Sequence, residues 1–156
     1  MEYWRLLRRH MHHEKLILPS AAAAVVHDGR ILLVMHRNLG TWHLPGGFQD
    51  LGESIRQTAE RELREETGLQ LSSGPLVSVL TSPEWDVHYP NEDAVQSFEL
   101  SFLMRGYDPG MQCVSDEREI EACDWFALDR LPEELAPCCR RKCQDLKVFD
   151  GSPFIR

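Results

Sequence analysis

Four glutamates, Glu60, Glu62, Glu65 and Glu66, fall within seven positions of GGFQDLGESIRQTAERELREETGL, residues 46–69. Like charges three or four apart on a helix repel by a few tenths of a kcal/mol per pair, so this crowding needs cationic neighbours or a bound ion. Ser54 followed by Gln57 is a capping-box pattern, and Gly68 stands where a left-handed cap belongs; together they predict a helix over residues 55–67. Projected at about 100° per residue from Ile55, Ala59 and Leu63 define a core-facing stripe. Glu66 lands at about 20°, inside that stripe, Glu62 at about −20° on its edge, and Glu65 at about −80° beside Glu62. Glu60 falls on the far, solvated face, where Arg64 four residues on is a sufficient partner.

A buried carboxylate without a partner costs several kcal/mol or takes up a proton. Two compensations are open for Glu62, Glu65 and Glu66. One is an ion-pair network with Arg37, Arg56 or Arg61. The other is a hard cation, Mg2+ or Mn2+, which takes carboxylate oxygens and keeps positions for water and phosphate. Gly46 and Gly47 let the backbone fold close to the helix start, so that carbonyl oxygens can join such a site. Glu53 adds an acid at the helix entrance.

The elements that must carry these groups alternate between strand and helix. Residues 3–15 suit a short helix whose tryptophan and leucines pack on the body. Residues 21–27 and 30–36 read as strands joined by a tight turn at Asp28-Gly29, followed by a Gly- and Pro-containing loop, NLGTWHLPGG. Residues 69–80, interrupted by SSGP, read as a bent strand or strand pair, and residues 82–93 as an exposed loop. In AVQSFELSFLMR the alternation of Phe98, Leu100, Phe102 and Met104 marks a half-buried strand. IEACDWFAL is a further strand, and residues 131–149 carry one or two helices started at Pro132 and Pro137.

The chain has 156 residues, 42% of them hydrophobic and 27% charged, with no repeat and no Gly/Ser- or Pro-rich linker. We expect one domain over 1–156, with residues 1–18 a helical N-terminal extension. A formal charge of −8 argues against a broad grip on DNA or an anionic membrane. No apolar run reaches the roughly 20 residues of a membrane span, and no signal-peptide pattern is visible, so a cytoplasmic location is expected. The five cysteines, Cys113, Cys123, Cys138, Cys139 and Cys143, are expected as reduced thiols, and His10, His12 and His13 as solvated or capping groups.

The acidic stretch resembles the signature of the Nudix hydrolase family, with every fixed position filled: Gly47, Glu53, Arg61, Glu62, Leu63, Glu65, Glu66, Gly68 and Leu69. The approach WHLPGG and the later WFALDRLP extend the resemblance from about Pro19 to Leu135. It implies an α/β fold, an α/β/α sandwich with a mixed sheet and a central catalytic loop-helix-loop. It also implies a Mg2+-dependent enzyme, with Mn2+ an option, that cleaves the diphosphate of a nucleoside diphosphate-X compound by attack of water on phosphorus. By the same resemblance, Glu62, Glu65, Glu66 and the Gly46 carbonyl match metal ligands, Glu53 a supporting acid, and Arg61 the arginine that holds the carboxylates. Glu119 is the expected extra acid from a later loop, ahead of Glu117 and Glu121. Glu65 or Glu66 is the expected base. Arg37 is a candidate for phosphate, and Trp42, Trp85 and Tyr89 are candidates for the nucleoside. The expected partner is a small-molecule nucleotide, with homodimerisation left open. Two other readings stand beside this one: a noncatalytic nucleotide-sensing module, and an RNA 5′-end pyrophosphohydrolase using RLLRRH and RRK as a basic track.

Overall fold

Four consecutive alanines, Ala21–Ala24, set the layering. Side chains along a strand alternate between its faces, and small ones leave room for a helix on each. In the computed structural model, which describes residues 3–114 and 118–156, these alanines end strand β1 (Leu16–Ala24). Ala21 and Ala23 pack with Ala59 and Leu63 of helix α2 (Ile55–Thr67). Ala22 and Ala24 pack on the other face with Cys139 and Cys143 of helix α3 (Pro137–Lys147).

The sheet around β1 is mixed. β1 runs parallel to β8 (Ala94–Arg105) and antiparallel to the short β5 (Gly46–Phe48). β8 continues to β6 (Ser72–Leu80) and from there to β10 (Phe154–Ile155), while β7 (Val87–His88) also pairs with β8. A second, antiparallel sheet centres on β3 (Arg30–His36), which pairs with β2 (Val26–His27), β4 (Thr41–His43) and β9 (Ile120–Ala127). Helix α1 (Tyr3–Met11) docks at the start of the chain. This is the mixed α/β arrangement expected. Among the described residues no helix is long and apolar enough to cross a membrane.

Several elements differ from expectation. The first strand covers 16–24 rather than 21–27, and the chain passes between the sheets at the buried Val25. Pro19 has no N–H for a ladder, yet β1 tolerates it because antiparallel pairing with β5 begins one residue later and the Pro19 carbonyl accepts from Gln49 N–H. Helix α1 stops at Met11 because His12 adopts a positive φ of 49°. NLGTWHLPGG contains β4 and begins β5, and residues 82–93 contain a 3₁₀ turn and β7. The SSGP segment forms one strand with register shifts, which is the bent form. Pro132 starts no helix: the turn after it is tied to β4 by Trp42 N–H on the Glu134 carbonyl and Ala136 N–H on that of Trp42. In β8, Phe102 and Met104 are buried against the α2 side but Phe98 is exposed. Cys113 and Cys123 form a disulfide with Cα atoms 6.7 Å apart, correcting the expectation of five thiols; Cys138, Cys139 and Cys143 are free. The loop and strand that bring that pair together are ten residues apart in sequence, a spacing with no signal of its own.

Candidate functional site

The start of α2 is fixed as the sequence indicated. Gln57 N–H donates to Ser54 Oγ, Ser54 N–H donates to Gln57 Oε1, and Gly68 closes the helix at φ 73°. With that phase set, burial orders the glutamates as projected: the side chain of Glu66 is 7% exposed, that of Glu62 16% and that of Glu65 51%.

Arg61 is the hub. Its Nε and one terminal nitrogen donate to the two Glu53 oxygens at 2.5 and 3.1 Å, and that same terminal nitrogen donates to the Phe48 carbonyl at 3.0 Å. The other donates to Glu62 at 2.7 Å and Glu65 at 3.1 Å. Thr58 Oγ1 also donates to Glu53. Glu66 instead meets the β5 backbone, where Gly46 N–H donates to its Oε2 at 3.1 Å, and His36 Nε2 lies 3.5 Å from its Oε1. The observed contact at Gly46 is thus through its N–H, where the sequence pointed to its carbonyl. Glu60 lies apart and accepts Ser73 N–H from β6 at 2.8 Å, a backbone contact in place of the expected Arg64 pair. Arg56 is spent on the Ser73 and Gly74 carbonyls and the Phe102 ring, so it compensates none of the acids.

The charges follow this geometry. Burial works to raise Glu53, but Arg61, the Asp50 N–H and Thr58 hold it below the usual carboxylate range. Burial pushes Glu62 up to about 7 against the pull of Arg61. Burial and then the Glu62 charge push Glu66 well above its ordinary value, which the Gly46 N–H only partly opposes. Glu119 adds repulsion to both. Burial lowers His36, and burial, then the proximity of His36 and Lys142, takes His43 down to about 3.

Glu66 is therefore a buried carboxylate met by the Gly46 N–H and His36, and the largely covered Glu62 shares one guanidinium with Glu53 and Glu65. Such a donor set, all carboxylate oxygen, fits a hard divalent cation. As the side chains stand, Arg61 occupies Glu62 and Glu65, and among the described residues no three His, Cys, Asp or Glu groups converge on one point.

These acids line one side of a cavity of about 920 Å³. Its other walls include Tyr89, Glu99, Cys138 and Lys142, and α1 contributes Trp4 and Arg5. Trp4 packs on Phe48 with ring centroids 5.9 Å apart, and Tyr3 N–H donates to Asp50, which docks α1 beside β5.

Of the residues singled out in the sequence, Gly46, Glu62, Glu65, Glu66, Arg61, Glu119 and Tyr89 all line this cavity. Glu53 stands behind it as the anchor of Arg61. Trp42 does not line it: its ring packs against Phe126, 4.7 Å between centroids, in the second core. Arg37 is likewise not among the lining residues; its backbone N–H donates to the Glu119 carbonyl and so fixes the approach of that acid. Trp85 lies in the 3₁₀ turn, where its carbonyl accepts from Ser97. Glu121 is exposed on β9, and Glu117 lies outside the described residues. Of the two basic stretches, Arg5 and Lys142 both reach this cavity, while the other arginines that pair are engaged by the fold. Arg8 is turned inward to Asp93 and the Ala94 carbonyl, Arg140 to the Pro132 carbonyl, Arg141 to Asp145, and Lys142 to Glu99. Of the three neighbouring histidines, His13 pairs with Asp93.

Sequence reasoning missed His36, His43, the Glu99–Lys142 pair and the lining role of Trp4 and Arg5. Only Glu99 left a visible sign, as a charged residue on a strand flanked by apolar ones.

Known proteins are similar to this chain in sequence and fold. The chain is 30% identical over 118 residues to a putative 8-oxo-dGTP diphosphatase of Bacillus subtilis, covering 76% of this chain and 71% of that protein. It is 34% identical over 120 residues to the NAD-capped RNA hydrolase NudC of Edwardsiella ictaluri, covering 75% of this chain and 42% of that one, so it spans less than half of that relative. The crystal structure of a MutT NUDIX hydrolase from Burkholderia pseudomallei superposes with a TM-score of 0.70 at 28% identity, covering 85% of this chain and 98% of that one. The NUDIX domain model matches residues 17–143, and the chain belongs to the Nudix hydrolase family.

Proposed function

We propose that this Nudix hydrolase cleaves the diphosphate linkage of a nucleoside diphosphate-X compound in a Mg2+-dependent reaction, with Mn2+ as an alternative ion. The observation that carries this reading is the cluster of Glu62, Glu65, Glu66 and Glu119 on one cavity, with burial and mutual repulsion raising Glu62 and Glu66. Glu62, Glu65 and Glu66 would hold the ion, with Glu119 and the Gly46 carbonyl as further donors. When bound, the ion neutralises phosphate oxygens and lowers the pKa of the attacking water.

The chain's own groups do the rest. Glu53 anchors Arg61, and Arg61 holds Glu62 and Glu65 at the cavity wall until an ion draws their oxygens together. Glu65 or Glu66 takes the proton of the attacking water, and Glu65, half exposed on the cavity rim, is the better placed to meet that water. Tyr89 and Trp4 offer flat faces to a nucleoside. The pairing of Arg8, Arg140 and Lys142 within the fold leaves Arg5 and Arg9 as the exposed cations of the two basic stretches for a longer RNA.

The test is a panel of nucleoside triphosphates, ADP-ribose, nucleotide sugars and dinucleoside polyphosphates at fixed Mg2+, with Glu66→Gln as control. Metal-dependent release of phosphate or pyrophosphate that is lost in Glu66→Gln supports the reading. Tight nucleotide binding without turnover of any compound would instead make the chain a sensing module.

A further inference from the structure

Strand β8 turns Leu100, Phe102 and Met104 toward the core under α2, so the alternate residues Ser97, Glu99 and Ser101 face the side where α3 packs. A glutamate on that buried face is costly by itself. Lys142 of α3, whose side chain is 2% exposed, lies directly against Glu99 Oε1. Among the described residues Lys142 is the only charged partner of Glu99, and that oxygen is sealed from solvent. Burial pulls the Lys142 ammonium down to about 7, opposed by the neighbouring Cys143. Buried pairs of this kind are often no more stabilising than two apolar side chains of the same size.

Its position does suggest a use. Glu99 remains one-fifth exposed and lines the same cavity as the acids of α2, close to Tyr89, Val95 and Ser97. In the sheet, Glu99 lies beside Ser20 of β1, and Ser20 beside Phe48 of β5. Two strand spacings, about 10 Å, therefore separate Glu99 from the strand whose Gly46 N–H holds Glu66. A nucleotide with its diphosphate at those acids can reach Glu99 with its base.

We propose that Glu99, held by Lys142, is the base-reading residue of this cavity, and that it selects a nucleobase edge with two adjacent N–H donors, as guanine presents. This rests on the nucleotide reading above and adds the class of base. An ionised carboxylate only accepts hydrogen bonds. With Oε1 committed to Lys142, the second oxygen is left for the ligand, and guanine N1–H and N2–H2 both point donors at it. Adenine and cytosine set one amino donor beside a ring acceptor, and uracil sets one imino donor between two carbonyls, so each turns lone pairs toward the carboxylate. Polar sites built for a donor discriminate strongly against ligands that lack it. Lys142 is a positioning residue that keeps Glu99 charged and oriented.

The experiment is calorimetric binding of GMP, AMP, CMP and UMP to the full chain with Mg2+, alongside hydrolysis of the four nucleoside triphosphates. GMP is expected to bind at least about tenfold more tightly than the other three, with the same order in kcat/KM. In Glu99→Gln, Lys142 holds the amide oxygen and turns the NH2 toward the ligand, so the preference for GMP is expected to vanish or invert. Because that variant leaves Lys142 without a counter-charge, Glu99→Met/Lys142→Met serves as the folded, uncharged control and should bind all four bases alike. Equal binding of the four by the wild-type chain, or a preference that survives both variants, overturns the proposal. Turnover without base preference defeats this inference alone; base preference without metal-dependent turnover defeats the hydrolase reading and leaves this one standing.

Discussion

The Gly47 α-carbon lies against the Glu62 carboxylate: a Cβ at residue 47 would stand 2.5 Å from Glu62 Oε1 and 2.6 Å from its carboxyl carbon. Two adjacent glycines consequently do different work. A Cβ at Gly46 would run into the Ala21 carbonyl oxygen and sit 3.0 Å from the Ala22 Cα, backbone that cannot yield. At Gly47 the obstacle is a side-chain tip, which can move but is pinned by Arg61.

Gly47→Ala is therefore expected to fold with nearly unchanged Tm and to lose about 100-fold in kcat, the scale of a 1 Å misplacement of a catalytic group. Gly46→Ala is expected to lose stability first, with a Tm drop of several degrees. Thermal unfolding measured beside steady-state kinetics on both variants separates the two effects. Equal kinetic loss at equal Tm in the two would contradict the division.

Arg61 joins Glu53, Glu62, Glu65 and the Phe48 carbonyl through a planar fork that an ammonium cannot reproduce. Arg61→Lys is expected to reduce kcat by about 10- to 100-fold while KM changes little, because it loosens the acids rather than the nucleotide. Glu53→Gln should give a milder loss of the same kind, since the amide still accepts from one arm of Arg61. A loss confined to KM in either variant would place Arg61 on the substrate instead.

Much of this site was legible because it is local. The helix phase, set by Ser54, Gln57 and Gly68, was enough to place Glu66 inward and Glu60 outward. The alternation in β8 likewise gave Phe102 and Met104 to the core. What stayed hidden depends on long-range docking. Lys142 reads in sequence as one more charge in RRK, and only the packing of α3 against β8 sets it on Glu99. Trp42 read as a loop aromatic because nothing local shows that residues 134–136 return to pair with it. The short strand after Leu44 and the terminal β10 have too few residues for any periodic pattern to show.

Helix α1 precedes the matched family segment, yet it supplies Trp4 to the cavity wall beside Phe48. Trp4→Ala is expected to raise KM for a nucleotide by about tenfold with kcat nearly unchanged, the scale of one lost aromatic stacking contact. Trp4→Phe should restore most of it. Titrating initial rates against substrate for both variants checks this; an unchanged KM in Trp4→Ala would reduce α1 to a structural cover.

Glu62 sits near 7 in the folded protein against an ordinary value of 4.5, because burial outweighs Arg61. A raised carboxylate binds more protons in the folded than in the unfolded state between those values, so its contribution makes stability fall as pH rises from about 4.5 to about 7. The shift corresponds to about 3 kcal/mol at most. Burial lowers His36 and His43, which gives the opposite slope, so the Glu62 contribution is the difference between wild type and Glu62→Gln. With EDTA present, Glu62→Gln is expected to gain in Tm over wild type as pH rises from 5 to 8. Adding Mg2+ should raise the wild-type Tm at pH 8 and leave Glu62→Gln nearly unmoved, because the ion supplies the charge that Arg61 alone does not. Parallel Tm curves for the two proteins across that range, with and without Mg2+, would mean that the acids of α2 are compensated within the chain and hold no cation.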